Sequence, residues 1–164
     1  MLKQILVFAL MTLLVVCPGC GGKDYDMSTA QGCVEQALHE GGGGQKIKSI
    51  DGDAPMMTVN VVFPIVSKYD TTKTVMNVTS AHICKNLFAN SKYKNPPDKV
   101  AICFWADVVE KKTGKDSQIV VYSMIINRKD TAGINWDKVD AIDITKSAKD
   151  GHADERPMLK KLCK

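Results

Sequence analysis

The stretch that decides the fold is residues 99–128, which read KVAICFWADVVEKKTGKDSQIVVYSMIINR. Two runs rich in β-branched and other apolar residues, at 99–110 and 117–128, flank a polar segment at 111–116 that contains a glycine. Runs of this composition, separated by a short polar segment, are typical of a β-hairpin. The sequence therefore predicts two long paired strands here, and the other elements are placed around them.

Both faces of the first hairpin strand are apolar. Its alternating residues form two sets: Ile102, Phe104, Ala106 and Val108 on one face, and Ala101, Cys103, Trp105 and Val109 on the other. A strand with two apolar faces is either covered on both sides or meets a partner on one of them. We expect the terminal helices to cover the second face, and contact of that face with a partner is the alternative.

Hydrophobic patterning extends the prediction along the chain. Apolar residues three and four apart predict helices, whereas alternation predicts strands. The expected elements are a helix at 28–40 with Ser28 as its N-cap, strands at 47–50 and 57–66, a helix at 71–90 and a short C-terminal helix from about Glu155. The segment after Gly133 is ambiguous. This order predicts an α+β fold, a two-layer sandwich in which helices pack on a mainly antiparallel sheet.

The N-terminus has the pattern of a secretory signal. Lys3 precedes a run at 5–16 that is apolar except for Thr12, and a small residue, Gly19, stands before Cys20. A basic start, a short apolar core and a small residue before the cleavage point are typical of a signal peptide. The run is shorter than the roughly 20 apolar residues that a comfortable transmembrane helix needs.

The boundary resembles the signal of bacterial lipoproteins, in which a lipidated cysteine becomes the first mature residue. Gly19 before Cys20 fits the small residue that the peptidase needs, whereas Cys17 follows the β-branched Val16. The resemblance covers about the first 22 residues. It implies lipidation of Cys20, with palmitate among the acyl chains; lipidation of Cys17, a plain secretory signal and an uncleaved anchor are the alternatives.

This resemblance also divides the chain and implies a location. The expected parts are a signal peptide at 1–19, a tether at 20–27 and a single α+β domain at 28–164. The lipid would anchor the domain to a membrane of the cell envelope. Gly21, where inner-membrane lipoproteins often have Asp, favours the outer membrane, with the domain on the periplasmic side.

Four further cysteines allow disulfides in an exported protein. Cys84 in the predicted helix and Cys103 in the following strand lie at similar distances from the loop that joins the two elements. Since the strand runs back along the helix, we predict that they pair. Cys33 would then pair with Cys163. The first pairing requires the helix to cover the face that also carries Trp105. Buried free thiols are the alternative, and a zinc site is disfavoured because no two of the four have C-x-x-C spacing.

Composition and motifs disfavour several classes of function. The chain is 45% hydrophobic and 24% charged, near globular averages, so general disorder is excluded. Aromatic residues make up only 6%, and no basic stripe is interleaved with them, so we expect no nucleic-acid partner. The dense basic cluster at 160–164 is taken as solvated helix-end lysines.

No catalytic motif stands out. No serine lies in a Gly-x-Ser-x-Gly elbow. The three histidines are each interpreted as helix-end or loop residues: His39, His82 and His152. Three acidic residues recur at every third position and fit a solvated face better than a cation site: Asp137, Asp140 and Asp143. We therefore expect no cofactor, no metal and no enzyme activity.

Binding is the function that these observations favour. The expected protein is an interaction module that serves an envelope protein complex as an accessory subunit, assembly factor or inhibitor, held at the membrane by its lipid. The alternative is a domain that binds a small ligand or a cell-wall fragment. The candidate surface residues for either role are Trp105, Tyr122 and Trp136.

Overall fold

The computed structural model describes residues 23–42, 44–64, 68–109, 113–148 and 152–163. The predicted signal peptide and Cys20 lie outside the described residues. The elements are, in chain order, α1 (Ala30–Glu40), β1 (Lys46–Asp51), β2 (Met56–Val62), α2 (Tyr69–Phe88), β3 (Lys99–Val109), β4 (Asp116–Asn127), two 3-10 turns (Arg128–Thr131 and Trp136–Ala141), α3 (Ile144–Ser147), β5 (His152–Glu155) and α4 (Pro157–Leu162). Among the described residues, no helix has the length and apolar character needed to cross a bilayer.

The five strands form one sheet in the order β1-β2-β3-β4-β5. The β1–β2, β3–β4 and β4–β5 pairs are antiparallel, and the β2–β3 pair is parallel. The parallel pair follows from α2, because this helix carries the chain from the end of β2 back to the level where β3 begins. The predicted α+β fold, with helices on a mainly antiparallel sheet, is confirmed.

One face of the sheet forms the hydrophobic core together with the helices. Alternation in β2 and β3 buries Val59, Val61, Ile102 and Phe104 completely. Opposite them, α2 presents the stripe that its 3.6-residue period predicts. The fully buried residues of this stripe are Met76, Ser80, Ile83, Cys84 and Leu87.

Helix α1 is capped by Thr29, one residue after the expected Ser28. The Gly32 amide donates to Thr29 Oγ1 at 3.0 Å, whereas the Ser28 hydroxyl donates to the Asp26 carboxylate at 2.6 Å. Asp26 passes so close to the helix that a Cβ at Gly32 would lie 2.0 Å from the Asp26 carbonyl oxygen. Part of the expected tether is therefore packed against the domain.

The helix layer lies on one side of the sheet. Leu159 of α4 is fully buried in the same core as the stripe of α2, and Cys163 Sγ donates to Thr72 Oγ1 of α2 at 3.6 Å. The expectation that the terminal helices cover the second face is therefore wrong. By joining the existing helix layer, α4 buries its apolar side in the one core that the domain already has.

The ambiguous segment after Gly133 contributes several elements that the pattern did not predict. Val139 of the second 3-10 turn and Ile144 of α3 are buried in the core. Strand β5 then pairs with β4, and α4 begins at Pro157, close to the expected start. The sequence of β5 is His-Ala-Asp-Glu, which has no apolar alternation, so its pairing was not predictable from period.

Neither predicted disulfide is present, because Cys33, Cys84, Cys103 and Cys163 are all free thiols. Cys84 is fully buried in α2, on the core side of the sheet. Cys103 lies in β3 between two core residues, Ile102 and Phe104, so it points to the opposite face. The sheet itself thus separates the two sulfur atoms.

The other expected pair is separated along α2. Asn90, just beyond the C-terminal end of this helix, donates to Cys33 Sγ at 3.4 Å. Cys163 Sγ instead contacts Thr72 near the N-terminal end. These two positions are about 25 Å apart at the rise of an α-helix, whereas a disulfide needs Cα atoms within about 7 Å.

Candidate functional site

The face of the sheet opposite the helices is open and forms the candidate site. The strand register places Asn60 beside Cys103 and Val62 beside Trp105 on this face. Beyond β3, Val120 and Ile125 continue the same face. We call this surface the sheet patch and define it by Lys48, Met56, Asn60, Cys103, Trp105 and Ile125.

Trp105 lies at the centre of the polar contacts on the sheet patch. Its indole is half-buried, and Nε1 donates to Asn60 Oδ1 at 2.9 Å. The Lys48 ammonium lies 4.0 Å from the centre of the indole ring, within the range of a cation–π contact. The ring is thus held in one orientation by neighbours from β1 and β2.

Side-chain hydrogen bonds extend this arrangement across four strands. Lys48 Nζ donates to Gln118 Oε1 at 2.6 Å, and Gln118 Nε2 donates to Asp107 Oδ1 at 2.9 Å. On the other side, Asn60 Nδ2 donates to Ser49 Oγ at 3.0 Å. The Lys48 side chain therefore bridges β1 to β4 over the ring of Trp105, and its acceptor at β4 is a neutral amide.

Apolar side chains around this network are exposed to solvent. Met56 is 43% exposed and Ile125 is 40% exposed. Val109, at the end of β3, is 63% exposed. Met56 and Ile125 lie near the start of β3 and Val109 near its end, so exposed apolar side chains occur at both ends of this face. Exposed apolar area on a sheet face is a feature of protein–protein contact sites. The sheet patch can thus offer a partner apolar area to bury and one cation, Lys48, to orient it. Its polar groups include no activated nucleophile.

The structure does not bring the three predicted surface residues together. Trp105 lies on the sheet patch, whereas Tyr122 is 4% exposed and belongs to the core face of β4. A β-bulge in β4 opposite Phe104 and Trp105 shifts the alternation, so Val121 and Tyr122 are both buried. Trp136 is half-buried in the second 3-10 turn. The three candidate rings therefore belong to different parts of the fold and do not share one surface.

Tyr122 lines a separate small pocket of about 230 Å³ between α2 and α3. Lys73 and Asn77 of α2 and Asp143 also line it. Asn77 Nδ2 donates to the Ile142 carbonyl at 3.2 Å, whereas Asn77 Oδ1 is buried and accepts no hydrogen bond from the described residues. This pocket combines groups of both charges with an unused acceptor.

A partly exposed hydrogen-bonded cluster lies beside this pocket, with the Lys73 side chain 46% exposed. The Tyr69 hydroxyl donates to Glu155 Oε2 at 2.5 Å, and Lys73 Nζ donates to the same oxygen at 3.0 Å. The Tyr69 hydrogen bond, assisted by Lys73, lowers the pKa of the Glu155 carboxyl. This cluster ties α2 to β5 and is a structural contact between the helix layer and the sheet edge.

His82 is a second feature that pattern analysis missed. It is 4% exposed in the middle of α2, not at a helix end or in a loop. Its Nδ1 lies 3.0 Å from Glu40 Oε2, and its Nε2 lies 2.7 Å from Asp140 Oδ1. One ring thus links the end of α1, the middle of α2 and the second 3-10 turn. Both carboxylates are far away in sequence, so no local signal indicates them.

No metal-binding arrangement of three or more His, Cys, Asp or Glu side chains occurs in the described part of the chain. Two of the three aspartates after Gly133 have different partners. Asp140 contacts His82, and the Asp143 carboxylate accepts a hydrogen bond from Thr145 and pairs with Lys146.

Comparison with known proteins gives no match: no protein-family model, no curated protein and no solved structure is similar to the chain at a significant level. Inference about function therefore depends on the sheet patch, the pockets and the residues that line them.

Proposed function

We propose that the protein is a membrane-anchored protein-interaction module that binds an envelope protein through the sheet patch. The observation that carries this proposal is the open face of the sheet, where Trp105 contacts Lys48 and Asn60 and lies between the half-buried Val62 and Val120. Exposed Met56 and Ile125 lie on the same face, nearer to the start of β3. A two-layer domain with an uncovered apolar sheet face gains stability from a partner that covers this face.

The chemistry of the patch defines the partner. The apolar side chains on this face of the sheet require an apolar surface on the partner. Lys48 makes no ion pair with the described residues and donates to the neutral Gln118. A carboxylate on the partner could replace Gln118 as the acceptor for Lys48. The hydrogen bond would then be charge-assisted, in an interface from which water is excluded. The partner is therefore an envelope protein that presents an apolar surface with at least one Asp or Glu.

The lipid on Cys20 would make such binding effective at low abundance. An anchor confines the domain to a thin layer beside the membrane, which raises its effective concentration for partners in the same layer. Replacing Cys20 with Ala is expected to abolish incorporation of an alkyne-labelled fatty acid, whereas Cys17→Ala is expected to retain it. Label that remains in Cys20→Ala would contradict the anchor.

Site-specific crosslinking in cells tests the partner surface. A photo-crosslinking amino acid is placed at Ile125 on the sheet patch or at Met158 on α4, two apolar positions that are each 40% exposed. We expect a discrete adduct from position 125 and none from position 158. Equal adducts from both positions, or none from position 125, would overturn the assignment of the surface. An adduct of twice the chain's mass would overturn an envelope partner in favour of a second copy.

The charge of Lys48 is tested by reversal. Lys48→Glu is expected to weaken the adduct from position 125 strongly, because it would place a carboxylate against the partner's carboxylate. Lys48→Arg keeps the charge and the cation–π contact and is expected to retain the adduct. A Lys48→Glu chain that crosslinks as well as Lys48→Arg would contradict the proposed acidic partner.

The pocket beside Tyr122 supports a second candidate function, binding of a small ligand. Lys73 and Asp143 can meet a carboxylate and an ammonium group, and Asn77 Oδ1 offers an unused acceptor. Such a set suits a zwitterionic ligand, for example a peptide fragment of the cell wall. A thermal shift with wall peptides that is lost in Asn77→Leu and kept in Lys48→Glu would favour this candidate over the sheet patch.

A further inference from the structure

The N-terminal end of the described chain is packed beside a groove. The Lys23 ammonium lies 5.7 Å from the centre of the Tyr25 ring, and the Tyr25 ring lies 5.9 Å from the ring of His39 in the last turn of α1. These residues border a groove of about 460 Å³ between α1 and the start of β1, where Lys46 and Ile47 line the opposite wall. The chain therefore enters the domain at the β1 edge of the sheet.

This entry point limits where a membrane can be. Cys20 is three residues before Lys23. Three residues span at most about 10 Å when fully extended. A lipid on Cys20 thus holds the bilayer surface within about this distance of Lys23, because the rest of the expected tether is already packed against α1.

The charges at the groove suit an anionic surface. Lys23 and Lys46 are both exposed, and neither forms an ion pair with the described residues. The one acidic residue that lines the groove, Glu35, accepts a hydrogen bond from Gln31 at 2.7 Å on its own helix. Lysines near an anionic membrane surface are attracted to it over distances up to a Debye length.

We propose that this groove, formed by Lys23, Tyr25, Gln31, His39 and Lys46, lies against the membrane and binds the phosphate groups of lipid headgroups. The inference rests on the proposed lipid at Cys20. It gives the domain a fixed orientation, in which the β1 edge of the sheet faces the bilayer and the β4–β5 edge faces away. The sheet patch then stands beside the membrane, open to a partner in the same layer.

Photo-crosslinking to lipid tests the orientation in the lipidated full-length chain. The protein is placed in vesicles of phosphatidylethanolamine and phosphatidylglycerol. A photo-crosslinking amino acid replaces either His39, at the groove, or His152, on β5 at the opposite sheet edge; both are exposed. We expect lipid adducts from position 39 in large excess over position 152. Gln31, on the same groove, serves as a second reporter that leaves the contact between Tyr25 and His39 intact.

Charge reversal tests the headgroup contact. Lys23→Glu combined with Lys46→Glu is expected to lower the adduct yield from position 31 about tenfold. The matched control, Lys129→Glu combined with Lys161→Glu, changes the net charge equally at exposed sites elsewhere and is expected to leave the yield unchanged. In vesicles of phosphatidylcholine alone, we expect position 31 still to give more lipid adduct than position 152. The effect of the two groove lysines on that yield is expected to be smaller.

Failure of the orientation and failure of the anchor give different results. A chain that carries the fatty-acid label but crosslinks equally from positions 31, 39 and 152 would overturn the orientation and leave the anchor standing. A chain without the label would overturn the anchor, and the inference with it. A larger effect of the Lys129 and Lys161 reversals would overturn the groove as the headgroup site and assign that role to the surfaces that carry these two lysines.

Discussion

Two neighbouring residues of β3 provide the sharpest test of the layer arrangement. Phe104 is fully buried between the sheet and the helices, with its ring 5.8 Å from that of Phe63 and 6.2 Å from that of Tyr122. Trp105 is next to it in sequence but lies half-buried on the sheet patch. Truncation of each to Ala should therefore differ greatly in cost, although Trp is the larger residue.

The magnitudes follow from the contacts that each truncation removes. Phe104→Ala empties a core position and should lower the free energy of unfolding by about 3–5 kcal/mol. Trp105→Ala loses one hydrogen bond to Asn60, worth about 0.5–1.5 kcal/mol, and one exposed cation–π contact with Lys48, worth about 0.5–1 kcal/mol. Its expected cost is about 1–2.5 kcal/mol, and Trp105→Ala should also abolish the partner adduct from position 125.

Urea denaturation at equilibrium, followed by circular dichroism, measures both costs. Trp105→Phe is the matched control, because it keeps an aromatic ring beneath Lys48 and removes only the bond to Asn60. If Trp105→Ala destabilises the domain as much as Phe104→Ala, a packed layer covers the second face and the open sheet patch is refuted. If Phe104→Ala costs less than about 1 kcal/mol, the core face has been assigned incorrectly.

Three further predictions concern the remaining polar contacts and thiols. The wild-type protein should have a higher free energy of unfolding than Glu155→Gln, by an amount that is constant near neutral pH. This difference should shrink as the pH falls below the ordinary Glu pKa of 4.5, because a carboxyl with a lowered folded-state pKa loses its contribution on protonation. His82→Ala should cost about 2 kcal/mol in urea denaturation, since it removes two hydrogen-bonded contacts and empties a position that is 4% exposed. A thiol reagent should label half-buried Cys103 before Cys84, whose thiol pKa is raised by complete burial, and unfolding should make all four thiols of the described domain reactive.

Each of these predictions has a contradicting result. An advantage over Glu155→Gln that grows as the pH falls would reverse the sign of the carboxyl contribution. A His82→Ala chain as stable as wild type would mean that the two carboxylate contacts add nothing. Peptide mapping without reduction that recovers a crosslinked cysteine pair would contradict the free thiols.

Local pattern predicted the elements whose residues repeat with a regular period. The hairpin was expected at 99–110 and 117–128, and the strands occupy Lys99–Val109 and Asp116–Asn127. Helix α2 was expected at 71–90 and occupies Tyr69–Phe88. The alternation and the helical stripe are properties of neighbouring residues, so they are present in the sequence before any tertiary contact forms. Strand β5 lacks such a period and was missed.

Much of the candidate site depends on contacts between distant residues. Trp105 was predicted as a surface residue, but its neighbours Lys48 and Asn60 were not. The Lys48–Gln118 hydrogen bond joins residues 70 positions apart, and the His82–Asp140 contact joins residues 58 positions apart. Such pairings depend on the order and direction of the strands, which no local pattern specifies.

The sequence by itself determined that β3 has two apolar faces and that the domain is α+β. Only the tertiary structure decided which face the helices cover. An apolar side chain favours burial, but its identity does not specify which element buries it. Phe104 and Trp105 therefore look alike in the sequence, although Phe104 is buried in the core and Trp105 lies on the sheet patch. α2 and α4 pack on the same face of β3 in one shared core. The side taken by α2 separates Cys84 from Cys103, and the addition of α4 to that side leaves the sheet patch exposed.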